Sequence, residues 1–208
     1  MIELLTANTP NGKKISIMLE EINFDYKVTK ININKDEQFK TEFKKLSPFG
    51  KIPVIIDHNS KQSLFESGAI LMYLGEKSGK FYEKNQRTII NQWLMGQMAY
   101  IGPMLGQHHQ FHHYNPGRSE FGENRYFKIS ERIYKELDDR LLESKYLAGK
   151  NYTIADIATF PWIARHDWHD IGLKKFPNLT RWYTEISRRD AVIRGYDLLE
   201  KGEQIPKV

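Results

Sequence analysis

Residues 51–67 read KIPVIIDHNSKQSLFES and decide the fold of this chain. Pro53 stands directly before the apolar run of residues 54–57, which is the place in a strand where a residue without a backbone N–H is tolerated. Polar residues 59–61 predict a turn between that strand and a second short one. Ser67 can then cap a helix. The stretch therefore predicts a β-hairpin that leads straight into a helix.

The part of the chain before this stretch alternates between strand-type and helix-type patterns. Residues 2–5 are a brief apolar run suited to a buried strand, and residues 26–31 alternate with a period of two. Between them, turn residues 9–12 precede apolar side chains at helical spacing. A further short helix is predicted before Ser47. The order β-α-β-α-β-β-α predicts a small mixed sheet with helices packed on it.

In the rest of the chain the apolar residues recur with a different period. From about Thr88 onward nearly every segment is helical, and residues 153–156 resemble a capping box that opens an apolar helix. Residues 84–87 are polar and lie where the mixed strand and helix patterns give way to a helical pattern, so they are the predicted linker. We therefore predict an α/β domain over residues 1–82 and an all-α domain over residues 88–208.

Composition narrows the class of protein. Of 208 residues, 40% are hydrophobic and 27% are charged, as in an ordinary soluble protein. No apolar run approaches the roughly 20 residues of a membrane helix, and no signal-peptide pattern opens the chain. Lys and Arg are interleaved with Asp and Glu rather than gathered in one patch, which argues against nucleic acid. We expect a cytoplasmic protein whose partners include neither a membrane nor a nucleic acid.

The chain contains no cysteine. Disulfide frameworks, cysteine-based metal sites and a protein thiol nucleophile are therefore all excluded. Any thiol chemistry must come from a bound small molecule. The formal charge of +5 mildly favours anionic ligands.

Two dipeptides could form a ligand site. The bond between Ile52 and Pro53 is of the only type that is commonly cis, and a cis bond would turn the Ile52 backbone N–H and C=O outward; a trans turn proline is the ordinary alternative. Glu66 could receive an ammonium group, and Ser67 at a helix start could donate to a carboxylate. A plain capping role for Ser67 is the competing interpretation.

A histidine cluster is the one pattern that suggests a metal. His108 and His112 are four residues apart, as are His109 and His113, and such pairs can share one helical face. No neighbouring Asp, Glu or Cys completes a ligand set, so no metal site is predicted. Gly106 and Asn115-Pro116 suggest that this segment is loop-like, with these histidines on the open side of an active site.

Several co-located motifs resemble the glutathione transferase family. They are residues 7–14 (ANTPNGKK), 50–54 (GKIPV), 64–70 (LFESGAI) and 102–107 (GPMLGQ). Together they are similar to the Nu-class bacterial members, relatives of the yeast nitrogen-regulation prion protein. The resemblance spans essentially the whole chain, and it implies a thioredoxin-like N-terminal domain followed by an all-helical one.

The resemblance also implies which residues bind glutathione, the expected co-substrate. It implies that Pro53 is cis, that the Ile52 backbone pairs with the cysteinyl part, and that Glu66 and Ser67 hold the γ-glutamyl end. Lys51 and Gln38 are expected near the glycyl end. Arg132, on a predicted helix, is a candidate partner for a carboxylate of a second glutathione, although a solvated surface arginine is an equal alternative.

The early Tyr, Ser or Cys that most transferases use for the thiol is missing here. The resemblance places Thr9 and Asn11 beside the glutathione sulfur instead, where a hydroxyl or amide donor would stabilise the thiolate. A simple turn is the competing interpretation of these two residues. The class resemblance implies glutathione-dependent disulfide-bond reduction more than conjugation, and such an exchange requires no protein cysteine.

Three alternatives remain open from the sequence. The protein could conjugate glutathione to electrophiles, act as a glutathione peroxidase, or bind glutathione without turnover in a regulatory role. The substrate would be a small thiol, disulfide or electrophile. By the same resemblance, a homodimer is expected.

Overall fold

The computed structural model describes residues 1–208, which form two compact units. The first comprises Met1–Tyr82 together with Arg189–Gln204, and the second comprises Glu83–Arg188 together with Ile205–Val208.

The first unit is built on one four-stranded mixed sheet. Its strands are β1 (Ile2–Thr6), β2 (Tyr26–Lys30), β3 (Val54–Asp57) and β4 (Gln62–Phe65). In the order β2-β1-β3-β4, β1 is parallel to β2 and antiparallel to β3, which is in turn antiparallel to β4. This is the predicted thioredoxin-like sheet, with the predicted hairpin at one edge.

Four helices belong to this unit: α1 (Pro10–Ile22), α2 (Thr41–Leu46), α3 (Ser67–Ser78) and α10 (Asp190–Asp197). Helix α1 begins where it does because Thr9 accepts a hydrogen bond from the Gly12 N–H and because proline suits the first helical position. It ends at Asn23, which adopts the left-handed conformation (φ 56°). The predicted order β-α-β-α-β-β-α is therefore confirmed through residue 78.

The start of α3 differs from the prediction in one respect. Ser67 does not cap the helix: it is the first helical residue, and Glu66 occupies the cap position without a side-chain capping bond. Glu66 has φ 69° and ψ 115°, so the chain turns sharply there and Ser67 is already helical. The predicted capping role of Ser67 was therefore wrong by one position.

Residues 189–204 pack with the thioredoxin-like unit, whereas the sequence pattern grouped them with the helical half. The reason is a close crossing of α10 and α1. A Cβ atom on Gly195 would lie 2.5 Å from the Ile17 Cα, and the Ser16 hydroxyl donates to the Gly195 carbonyl at 2.6 Å. Only a glycine permits this approach.

The second unit is helical throughout. Its helices are α4 (Arg87–Gly96), α5 (Gly102–His108), α6 (Glu120–Glu143), α7 (Ile154–Ile163), α8 (His166–His169) and α9 (Pro177–Ser187). Two π-helical segments, Gln97–Ile101 and His109–Tyr114, flank α5. The expectation of a loop-like region was therefore wrong for residues 106–114, where helical structure continues, but a turn does begin at Asn115. None of the ten helices in the chain combines the length and apolar character that a bilayer requires.

The predicted capping box at the start of α7 is present. The Asp156 carboxylate accepts hydrogen bonds from the Thr153 backbone N–H at 2.9 Å and from its hydroxyl at 3.1 Å. It also accepts from the Leu147 N–H at 3.0 Å and from the Trp182 indole at 2.9 Å. One buried carboxylate thus joins α7, α9 and the chain before α7.

Candidate active site

Eight of the predicted site residues belong to the first unit, and we call them the cradle: Thr9, Asn11, Gln38, Lys51, Ile52, Pro53, Glu66 and Ser67. The sheet register brings their segments together. Leu5 is opposite Val54, and Val54 is opposite Phe65. The loop that follows β1, Pro53 before β3 and Glu66 after β4 therefore lie side by side at the same end of three adjacent strands.

The loop after β1 is held close to the strand it leaves. Thr9 Oγ1 accepts from the Gly12 N–H at 3.1 Å, and the Thr9 N–H donates to the Ala7 carbonyl at 2.8 Å. A Cβ atom on Gly12 would lie 2.3 Å from the Ala7 carbonyl oxygen, so only glycine fits. Asn11 is the second residue of α1. Thr9 and Asn11 thus stand at a helix N-terminus, where N–H groups and the helix dipole favour negative charge.

The cis bond between Ile52 and Pro53 is present. Ile52 lies just outside β3, so the hydrogen-bond ladder of the sheet does not use its backbone groups. The chain before it is fixed by Ser47, whose hydroxyl donates to the Lys51 carbonyl at 2.8 Å and accepts from the Lys51 N–H at 3.1 Å. The Lys51 side chain is exposed.

Gln38 adjoins this segment. Gly50 has φ 59°, and a Cβ atom there would lie 2.9 Å from the Gln38 carbonyl oxygen. The Gln38 side-chain nitrogen donates to the Ile33 carbonyl at 3.3 Å, while its Oε1 is buried and accepts no hydrogen bond from the protein. A buried acceptor without a protein donor is uncommon and suits a ligand N–H.

Glu66 and Ser67 complete the cradle. The backbone of Glu66 lies at positive φ, and such outliers are retained where surrounding structure enforces them, often at functional sites. The Glu66 carboxylate is exposed, whereas Ser67 is only 6% exposed. Beneath Ser67, the Lys14 ammonium lies 3.3 Å from its hydroxyl oxygen.

Lys14, which contacts Ser67 of the cradle, was not among the residues predicted from the sequence. A signal was available: Lys14 lies four residues before Met18 and eight before Ile22, on the apolar stripe of α1. Lysine is rarely buried unless it is paired, and Lys14 is only 1% exposed. Burial lowers its pKa to about 7, and the negative charge of Glu66 opposes that shift.

Arg132 is in the second unit, exposed on α6. It lines an open cleft of about 540 Å³ together with Arg125 and Lys128, so three cationic side chains share one face of the helix. Tyr100 and Phe121 supply apolar surface there. The cleft therefore combines positive charge with apolar surface.

Two of the four clustered histidines do not line an open site as expected, whereas His112 is half-buried and His113 is exposed. His108 is fully buried, and His109 is 5% exposed. His109 Nε2 and His169 Nε2 share a hydrogen bond of 2.8 Å, and the Tyr134 hydroxyl and His169 Nδ1 share one of 2.6 Å. Burial lowers the pKa of His109 to about 3, so the ring is neutral. No group of three potential ligands is arranged to hold a metal ion anywhere in the chain.

The fold and the cradle define a thioredoxin-like protein with a candidate ligand site at one end of the strands of its sheet. Family models then identify the class. Residues 2–76 match the glutathione S-transferase N-terminal domain, and residues 117–190 match the C-terminal domain. The chain belongs to the glutathione S-transferase family.

Relatives within that family are similar over most of the chain. The chain is 43% identical over 198 residues to the disulfide-bond oxidoreductase YfcG of Escherichia coli, with 92% of each chain covered. It is 35% identical to the disulfide-bond oxidoreductase YghU of the same organism, covering 93% of this chain and 73% of that protein.

Solved structures show the same architecture with ligands. A glutathione transferase of Burkholderia graminis, with two glutathione molecules bound per subunit, is 37% identical with a TM-score of 0.90, covering 97% of this chain and 89% of that one. One from Pseudomonas putida, with one glutathione disulfide bound per subunit, is 40% identical with a TM-score of 0.88, covering 95% and 91%.

Proposed function

We propose that this protein reduces disulfide bonds with glutathione as the thiol. The observation that carries the proposal is the cradle itself, in which the loop at Thr9, the cis bond at Pro53 and the turn at Glu66 adjoin at the same end of three neighbouring strands. The choice of disulfide reduction over other glutathione chemistry rests on the relatives named disulfide-bond oxidoreductase.

Each part of the proposed ligand, glutathione, is bound by different residues of the cradle. The outward backbone of Ile52 beside Pro53 pairs with the cysteinyl part. The carboxylate of Glu66 receives the γ-glutamyl ammonium, and Ser67 donates to the adjacent carboxylate.

The glycyl end is assigned to Gln38 and Lys51. The buried Oε1 of Gln38 supplies an acceptor for an amide N–H, and Lys51 supplies an exposed positive charge for the terminal carboxylate. Arg132 is assigned to a carboxylate of a second glutathione, because Arg125 and Lys128 add positive charge beside it. No metal takes part in this scheme.

The proposed reaction needs no protein cysteine. Thr9 Oγ1 accepts from the Gly12 N–H, so its own O–H proton can donate to the glutathione sulfur. This hydrogen bond, with Asn11 and the start of α1, stabilises the thiolate and lowers the pKa of the thiol from about 8.5. The thiolate attacks one sulfur of the substrate disulfide; a new S–S bond forms, the old one breaks, and the departing thiolate takes a proton from water.

A second glutathione completes the exchange. Its thiolate attacks the glutathione sulfur of the mixed disulfide, which releases glutathione disulfide and the second substrate thiol. Two glutathione molecules are oxidised for each disulfide that is reduced. A site that accepts glutathione disulfide as its product agrees with the relative from Pseudomonas putida, which holds that molecule.

The test compares two activities of the purified protein. We expect glutathione-dependent reduction of 2-hydroxyethyl disulfide to exceed conjugation of glutathione to 1-chloro-2,4-dinitrobenzene. Glu66→Gln should raise the KM for glutathione, whereas Glu42→Gln, which alters an exposed carboxylate paired only with Lys45, should not. Brisk conjugation with negligible disulfide turnover would support transferase function instead, and glutathione binding without turnover would support a regulatory one.

We also propose that the protein is a homodimer that works in the cytoplasm. Family resemblance supports the dimer, and the cytoplasm is a compartment where glutathione is kept reduced. Light scattering should give twice the chain mass of 24.5 kDa. A species with the mass of one chain at micromolar concentration would contradict the dimer.

A further inference from the structure

Lys14 and Ser67 form a contact that the proposed reaction does not yet use. The two residues lie on different helices of the first unit, and Lys14 Nζ is 3.3 Å from Ser67 Oγ. Lys14 is 1% exposed and Ser67 is 6% exposed. A charged group is costly to bury, and this one lies in contact with a residue of the cradle.

The chemistry of the two groups determines the direction of their hydrogen bond. A lysine ammonium has three donors and no acceptor, whereas a serine hydroxyl has one donor and two acceptor lone pairs. Lys14 therefore donates and Ser67 Oγ accepts. Any further hydrogen bond in which the Ser67 side chain is the donor uses its own O–H proton. A carboxylate is a strong acceptor for such a proton, whereas an ammonium is not an acceptor at all.

The charges around this contact also favour an anion at Ser67. Glu66 is the charged neighbour that stabilises the Lys14 ammonium, against the burial that lowers the Lys14 pKa. A ligand carboxylate at Ser67 would add a second negative charge close to the same ammonium. In a poorly solvated position such an attraction is much stronger than at the surface.

We propose that Lys14 is a positioning residue of the proposed glutathione site: its ammonium directs the Ser67 hydroxyl toward the γ-glutamyl carboxylate and makes the site selective for a ligand that carries this anion. The inference rests on the proposed function, since it assumes that glutathione binds at Ser67. Lys14 acts through Ser67, beneath it, and is not assigned a contact with the reacting sulfur.

The experiment measures selectivity rather than affinity alone. Calorimetric titration gives the Kd of S-methylglutathione and of its analogue in which the γ-glutamyl α-carboxylate is an amide. The wild type should prefer the carboxylate. Lys14→Met should reduce this preference by about tenfold, the change expected from loss of one charge-assisted interaction. Lys14→Gln, which keeps a donor but no charge, should lose part of it.

The controls separate the possible failures. Lys27→Met removes one exposed positive charge from the same unit and should leave the preference unchanged. Equal weakening of both ligands by Lys14→Met would show a merely structural role and overturn the inference. If Ser67→Ala reduces the preference for the carboxylate and Lys14→Met leaves it unchanged, the positioning role of Lys14 is overturned while the role of Ser67 stands. If the wild type binds neither ligand, the proposed function itself fails.

Discussion

At the scale of single residues, the cradle depends on two hydroxyl groups with the same arrangement. Thr9 accepts from the Gly12 N–H, and Ser67 accepts from the Lys14 ammonium. In each case a protein donor occupies a lone pair, so the hydroxyl proton is directed toward another acceptor. One hydroxyl is proposed to face a thiolate and the other a carboxylate, both anions.

Replacement of Thr9 tests its proposed role with the thiolate. Thr9→Ala should lower kcat for disulfide reduction by about tenfold, because a charge-assisted hydrogen bond is lost. The KM for glutathione should change little. Loss of the cap should also cost about 1 kcal/mol in the free energy of unfolding.

Thr9→Ser is the matched control, since it keeps both the hydroxyl and the cap. Its kcat should stay near that of the wild type. Steady-state kinetics with varied glutathione, together with urea unfolding, distinguish the two effects. A Thr9→Ala variant with undiminished kcat would remove Thr9 from the mechanism.

At the scale of secondary-structure elements, α10 is an integral part of the thioredoxin-like unit. Its crossing with α1 at Gly195 is accompanied by buried Lys13, whose Nζ donates to the Tyr196 carbonyl at 2.6 Å and pairs with Glu203 at 2.7 Å. Arg189 forms a two-pronged ion pair with Glu21 at 2.6 and 2.9 Å. Helix α1, which carries Thr9 and Asn11 at its start, is thus supported by the C-terminal segment.

The close crossing predicts an unusual sensitivity to one methyl group. Gly195→Ala should lower the free energy of unfolding by about 2 kcal/mol or more, because the new Cβ forces α10 away from α1. Gly96→Ala is the control: that helical glycine has no atom within 4 Å of a built Cβ, so alanine should be neutral or slightly stabilising. Urea denaturation of both variants checks this. Equal stability of the two variants would contradict the close packing.

The capping box of α7 predicts a second large effect. Asp156→Ala leaves the Thr153, Leu147 and Trp182 donors without their carboxylate, and each such bond to a charged group contributes about 1.5–3 kcal/mol. We expect a loss of about 3 kcal/mol or more in the free energy of unfolding. Asp139→Ala, at an exposed carboxylate, should change stability by less than about 0.5 kcal/mol. A Tm close to the wild-type value in Asp156→Ala would refute the prediction.

At the scale of the whole molecule, the buried histidines make stability depend on pH. Desolvation lowers the pKa of His109 and His169, and repulsion from neighbouring histidines adds to this shift. Both rings are neutral in the folded protein, while an unfolded histidine has a pKa of about 6.5. Below that pH the unfolded chain binds more protons than the folded one, so acid favours unfolding.

His109 alone should remove about 2 kcal/mol from the free energy of unfolding between pH 7 and 5, because its folded pKa is about 3. His109→Gln should flatten this acid limb when urea midpoints are measured across that range. His58→Gln, at a histidine with a 45% exposed side chain, should leave it unchanged. If His109→Gln loses stability with acid as steeply as the wild type, the cause lies elsewhere.

The order of strands and helices through residue 78 was determined by the sequence alone, because apolar periodicity and proline act over a few neighbouring residues. The same local signals marked Pro53, Glu66 and the capping box. Tertiary structure alone decided which helices pack against each other. Lys14 meets Ser67 across 53 residues of chain, and α10 joins the first unit because Gly195 lets it approach α1. A periodic pattern predicts that a helix has an apolar face. Which element packs on that face is determined by contacts between residues that are distant in sequence.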